Sequence, residues 1–318
     1  MSKRLFALLT ASAVIVAVAG LSVEAQVKPK VKPTNAPTFV KLENAGKLNL
    51  SAAGNPFKPR DFKQSKKPYA GDRGIIGDDN REPMLSREYP WSAIGRIQGT
   101  TTDAKNYHCT GTLIAEDVVL TNAHCVIDTK THQLSREIAF LPNVINGKVA
   151  NRQDIAFAER VIYGTDFRAD ALTNQTQDWA VVVLDKPIGR KYGYLGWRNI
   201  PVSTMINNPK KFYFVGYSGD YPNSNKRGYE FLSAGAGWTA GFQAGCSIVG
   251  EQKDILLHDC DTTGGSSGGS IIGWINNQPY IVALNNAEIK DVNTNEGIIN
   301  LAVNLSFLDR LAGKNSDE

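Results

Sequence analysis

From Gly74 onward this chain never holds one apolar pattern for long before Gly, Asn, Asp or Pro breaks it. The runs Ser92–Ile97, Gly111–Ile114, Val118–Thr121, Ala180–Leu184, Phe212–Val215, Ser270–Trp274 and Tyr280–Leu284 are rich in Val, Ile, Thr and aromatic residues. Such side chains fit a pleated, half-buried surface, and runs of this length bounded by turn residues read as strands. Only the stretch around Leu305–Ala312 reads as a helix, short and terminal. Many short strands with few helices give an all-β fold, either a sandwich or barrels. Residues 75–318 are many for one simple barrel, which favours two. No internal repeat of fixed short period is present.

The N-terminus reads as an export signal. Lys3 and Arg4 precede an apolar stretch from Leu5 to Leu21, and Val23 and Ala25 set small residues where a signal peptidase reads. Residues 1–25 are therefore expected to be cleaved, leaving a secreted or periplasmic protein with no membrane attachment; the apolar run is short for an uncleaved anchor. Residues 26–74 read as a basic, Pro- and Lys-rich propeptide or linker. They hold eleven Lys and Arg against three Asp and Glu, whereas residues 75–318 hold twenty-two against twenty-seven. The segment is either a solvated tail or a pro-region docked on the acidic domain, and the opposite charges favour docking. It lacks aromatic interleaving, which argues against a nucleic-acid partner.

Export bears on the four cysteines, Cys109, Cys125, Cys246 and Cys260, because disulfides persist in oxidising compartments. Of the three pairings, Cys109–Cys125 with Cys246–Cys260 closes short loops, each worth about 3 kcal/mol through restriction of the unfolded chain. A zinc site using His108, His124 or His258 lacks any Cys-x-x-Cys pair, and His-Cys neighbours are not spaced as ligands.

Three motifs carry chemistry. Residues 264–270 read Gly-Gly-Ser-Ser-Gly-Gly-Ser; glycines let the backbone turn tightly around a nucleophile and aim N–H donors at a developing oxyanion. Ser266 and Ser267 both compete for that role. His124 follows the apolar run Val118–Thr121, where a rigid strand end holds a general base, and Cys125 follows it directly. Asp178 heads the run Trp179–Leu184, where a poorly solvated carboxylate can hold an imidazole tautomer. Asp170 and Asp185 head no such run. The order His, Asp, Ser excludes an α/β-hydrolase, which runs Ser, acid, His, since no His follows Ser267.

Together, Cys109-Thr-Gly-Thr-Leu-Ile114, Leu120-Thr-Asn-Ala-His-Cys125, Asp178-Trp-Ala180 and Gly265-Ser-Ser-Gly-Gly269 resemble the trypsin-like (chymotrypsin-fold) serine peptidases, from about Gly74 to Leu311. The resemblance implies two six-stranded antiparallel β-barrels with a short C-terminal helix and the site between them. It implies Ser267 as nucleophile, His124 as general acid and base, Asp178 as orienting acid, and the N–H groups of Gly265 and Ser267 as oxyanion hole. Protein or peptide substrates follow, and neither metal nor organic cofactor is required. Ser266 stands where vertebrate trypsins carry the Asp that receives the new N-terminus. The bacterial glutamyl-endopeptidase branch lacks that Asp too. Ile75–Arg81 and Asp261-Thr-Thr-Gly-Gly265 are similar to that branch, so a zymogen maturing near Arg73–Gly74 is implied.

Substrate preference stays open at Asp261, Thr262 and Asn285. Asp261 lies six residues before Ser267, as the pocket-base Asp of trypsin does, while Asn285 stands where the acid-cleaving branch carries a His. Asp78 and Asp79 are candidates for a structural calcium ion. The alternative reading is a catalytically silent homologue serving as a secreted binding module.

Overall fold

The computed structural model describes residues 36–46, 48, 50, 54–68, 79–290 and 297–313. The expected export signal, the expected mature start at Ile75 and the calcium candidate Asp78 lie outside these residues.

Two short strands, β1 (Thr38–Lys41) and β2 (Glu82–Pro83), precede a barrel built from β3 (Ile94–Thr100), β4 (Asn106–Leu113), β5 (Val118–Thr121), β6 (Glu137–Pro142), β7 (Ala156–Tyr163) and β8 (Ala180–Leu184). Its six strands run in the order β7-β6-β3-β4-β5-β8, and β7 pairs again with β8, so the ring closes. Closure leaves no unpaired ladder inside the ring. Every residue of β5 is buried, and all of β8 but Val183. That two-sided burial is why both read in the sequence as unbroken apolar runs rather than alternating ones.

Three short helices follow in the chain: α1 (Ala171–Thr176) before β8, then α2 (Gly189–Tyr192) and α3 (Val202–Ile206) after it. The second sheet takes β9 (Gly196–Trp197), β10 (Phe212–Gly216), β11 (Gly241–Cys246), β12 (Ile248–Gln252), β13 (Ile255–His258), β14 (Ser270–Ile275), β15 (Gln278–Lys290) and β16 (Gly297–Val303). Its path is β12-β13-β16-β15-β14-β10-β11-β2, with β9 against β15. Only Ser247 separates β12, at one end of this path, from β11, next to the other end, so the sheet curls back on itself. The final helix, α4 (Ser306–Leu311), buries Phe307, Leu308 and Leu311 in the apolar cluster shared by the first barrel and the second sheet. Phe307 stacks on Trp179 with ring centroids 4.1 Å apart.

The basic segment is built onto this body. β1 lies parallel to β7 with Phe39 opposite Val161. Ala45, Leu48 and Leu50 are buried in the same apolar cluster as the first barrel. Phe57 and Tyr194 exchange two backbone hydrogen bonds and stack their rings 5.3 Å apart. Isolated apolar residues in a Lys- and Pro-rich stretch give no period by which to recognise such packing from sequence.

Candidate active site

The register of β5 against β8 sets Thr121 opposite Ala180. The chain leaves β5 through Asn122 into a tight turn, Ala123–Cys125, and enters β8 from Asp178. His124 and Asp178 therefore emerge at the same end of one strand pair. Three contacts fix them. Asn122 Nδ2 donates to the Asp178 carbonyl at 2.6 Å, the His124 N–H donates to Asp178 Oδ1 at 2.9 Å, and His124 Nδ1 lies 2.6 Å from Asp178 Oδ2. An ionised carboxylate only accepts, so the proton sits on Nδ1 and Nε2 is the free base. Cys125 is bonded to Cys109 of β4, which ties the histidine turn to the neighbouring strand. Burial pulls the His124 pKa down, but the charge and hydrogen bond of Asp178 outweigh it, and the imidazole titrates above its ordinary value.

Ser267 comes from the second sheet, on the turn before β14. That turn needs glycine at two points. Gly265 has φ +96°, and a Cβ there would fall 2.3 Å from His108 Nε2; Gly268 has φ +79°, and a Cβ would fall 2.3 Å from the Thr110 carbonyl oxygen. The two serines separate here. Ser266 is 1% exposed, its hydroxyl donates to the Thr263 carbonyl at 2.5 Å and it borders one cavity, whereas Ser267 lines both cavities beside the turn. Ser267 Oγ donates to the Asn286 carbonyl at 3.3 Å, and among the described residues it makes no hydrogen bond to His124. The N–H groups of Gly265 and Ser267 have no acceptor among the described residues, while the Ser266 N–H between them donates to Thr263.

Thr110 of β4 stitches the two halves at this point. Its N–H donates to the Ser267 carbonyl, its Oγ1 donates to the Gly265 carbonyl at 3.0 Å, and the same Oγ1 accepts from the Tyr217 N–H at 2.8 Å. His108, also on β4, donates its Nε2–H to the Tyr217 carbonyl at 2.9 Å and packs against the Gly265 turn. Burial, then the charge of Arg96, pushes its pKa down to about 4, so it is neutral near pH 7.

His124, Asp178 and Ser267 share a cavity of about 590 Å³ with Thr262, Thr263, Asn285, Asn286 and Glu288. Of the three residues proposed from sequence for substrate binding, Thr262 and Asn285 line it. Asp261 does not: its carboxylate accepts the Asn80 N–H at 2.9 Å. Burial raises the Asp261 pKa to about 6 against the lowering pull of that hydrogen bond. Asn285 is fully engaged, its Nδ2 donating to Ser266 O at 3.1 Å and its Oδ1 meeting His258 Nε2 at 3.1 Å. His258 is buried, accepts the Cys260 N–H at Nδ1, and is held neutral by burial with a pKa of about 4. Its part in fixing Asn285 was not visible in the sequence, where it entered only as a candidate zinc ligand. Asn122 and Asn286 were likewise missed, because a lone Asn carries no motif.

Both cysteine pairs are disulfides, Cys109–Cys125 and Cys246–Cys260, which leaves no thiolate among them for zinc. Asp79 faces Arg81 at 2.8 Å, and Arg81 also holds Asp220 at 2.9 Å, so the calcium candidate Asp79 is committed to an ion pair.

Residues 109–278 match the model of the trypsin-like peptidase domain. Human serine protease 23 is 27% identical over 243 residues, 70% of this chain and 56% of that protein. The glutamyl endopeptidase of Bacillus licheniformis is 26% identical over 220 residues, 68% of this chain and 60% of that protein. The chain thus spans about half the length of the curated relatives it matches, 51% in the case of bovine serine protease 23. Among solved structures, a Glu endopeptidase in complex with MPD has a TM-score of 0.57 at 25% identity, covering 76% of this chain and 99% of that one. Protease Anisep from Arthrobacter nicotinovorans, at 18% identity and a TM-score of 0.53 over 70% of this chain and 96% of its own, is alike in fold. The match covers more than half of the sequence, and the chain belongs to the trypsin-like peptidase family.

Proposed function

We propose that this protein is an exported serine endopeptidase that cuts protein or peptide substrates through an acyl-enzyme. Ser267 Oγ attacks the scissile carbonyl while His124 Nε2 takes its proton. The negative charge that grows on the carbonyl oxygen is met by the N–H groups of Gly265 and Ser267, which have no other acceptor among the described residues. The imidazolium, stabilised by Asp178, then protonates the leaving amine. Water attacks the acyl-enzyme by the same route, giving its proton to His124, and Ser267 is regenerated. The observation that carries the reading is the short His124–Asp178 hydrogen bond at a strand end facing Ser267 in one cavity. Cleavage of a signal at residues 1–25 and processing near Arg73–Gly74 belong to the same proposal; N-terminal sequencing of the exported protein tests both, and a start near Gln26 would remove the second.

One observation favours the other reading, a silent binding module: the Ser267 hydroxyl points to Asn286 O rather than to His124. Labelling with a fluorophosphonate, followed by peptide mapping, decides between the two readings. Modification at Ser267 that disappears in His124→Ala supports the peptidase; an unlabelled, folded protein supports the binding module.

A further inference from the structure

The described part of the basic segment touches both halves of the molecule and lines neither cavity beside Ser267. At its start, β1 is paired with β7 of the first barrel, and Ala45, Leu48 and Leu50 are buried in the apolar cluster that the first barrel shares with the second sheet. Midway it follows the connection between the barrels. The Gly54 carbonyl accepts from the Trp197 N–H at 3.0 Å and from Arg198 Nη1 at 2.9 Å, and Asn55 Oδ1 accepts from Arg198 Nη2. Contact there is so close that a Cβ on Gly196 would fall 2.1 Å from Gly54 O. At its end it meets the second sheet, where Gln64 donates to Asn277 O and the Tyr213 hydroxyl of β10 donates to Pro68 O at 2.9 Å. Among the described residues of 36–68, none lines the cavities beside Ser267.

We infer that residues 36–68 are a permanent brace joining the two barrels, one that stays on the peptidase after the chain is cut between Pro68 and Asp79 and does not obstruct the cleft. Its grip is apolar burial and backbone hydrogen bonding. Lys41–Asp166 at 3.7 Å is the one ion pair from this segment to the body among the described residues, despite the opposite net charges. All four cysteines lie between 109 and 260, so no disulfide tethers the brace. The inference does not depend on the proposed catalysis, since retention can be measured on a Ser267→Ala protein.

The test places a cleavage sequence for an unrelated site-specific protease between Pro68 and Asp79 of the full Ser267→Ala chain. The cut protein is followed by gel filtration and native mass spectrometry. The brace peptide should co-elute with the body, stay on at about 1 M NaCl, where surface charge pairing is screened, and separate only in denaturant. A Leu48→Asp/Leu50→Asp form of the same cut protein should lose the peptide in native buffer. Release of the unmodified peptide in native buffer overturns the inference, as does release by salt alone or equal retention of the double variant. On a cut protein with Ser267 intact, fluorophosphonate labelling at the rate of the uncut protein fits an open cleft. Labelling that begins only once the peptide has left would make it an inhibitor and overturn the second half of the inference. Absence of labelling in both forms would count against the proposed peptidase reading and leave the retention result to decide the brace.

Discussion

His124 can accept a proton only while its Nε2 is bare, so its titration sets the acid limb of the proposed activity. Asp178 lifts that pKa against the effect of burial; turnover should therefore fall below a pH at or above the free value of ~6.5. Asp178→Asn removes the lifting charge and leaves the burial, so the limb should move to lower pH while turnover drops by ~10⁴-fold. A pH–rate profile of the two proteins checks both. Ser267→Ala and His124→Ala should each cost several powers of ten, and the double variant little more, because groups acting as one unit are not additive; near-additive losses in kcat would contradict the unit. Asp261 titrates the other way in its consequences. Its pKa is raised from 3.8 to about 6 by burial, so its contribution to stability is full below the unfolded value and is lost as pH rises through about 6. Asp261→Asn keeps an acceptor for Asn80 and removes the buried charge. It should raise stability at pH 8 by up to about 3 kcal/mol and leave it unchanged near pH 3, as read by denaturant melts at both.

At the scale of elements, what the sequence revealed depended on where each strand's neighbours come from. Val118–Thr121 and Ala180–Leu184 were readable to the residue because both are covered on two faces and stay apolar throughout. Tyr280–Leu284 was read too short: β15 runs on to Lys290 through Asn285 and Asn286, with a register shift between Asn285 and Ala287. An Asn-Asn pair has the chemistry of a turn, and it is tolerated in this strand because Asn285 binds Ser266 and His258 while Asn286 binds Gln175. The three motifs drew attention to His124, Asp178 and Ser267, and the structure sets all three on one cavity. The part of His258 could not be read, since its partner Asn285 is 27 residues away. The terminal helix was legible, but its docking was not: α4 carries Phe307 onto Trp179, the residue after Asp178. Phe307→Ala should destabilise the protein by about 3–5 kcal/mol, measured by chemical denaturation.

For the whole molecule, the site is a seam. His124 and Asp178 belong to the first barrel and Ser267 to the second sheet, so their distance is set by how the halves are joined. Thr110 Oγ1 serves Gly265 O and Tyr217 N at once and is wholly buried. Thr110→Val would leave the buried Tyr217 N–H and the half-buried Gly265 carbonyl without this partner. It should cost about 2–5 kcal/mol and reduce turnover, although Thr110 has no chemical role; a melt and a kcat measurement together check this. The brace sits on the same seam without a covalent tether. If the chain is cut between Pro68 and Asp79, the folded unit is two polypeptides, and recovery from unfolding becomes a second-order event. Heat inactivation of the cut protein should then be reversible when concentrated and lost on dilution, while the uncut chain refolds independently of concentration.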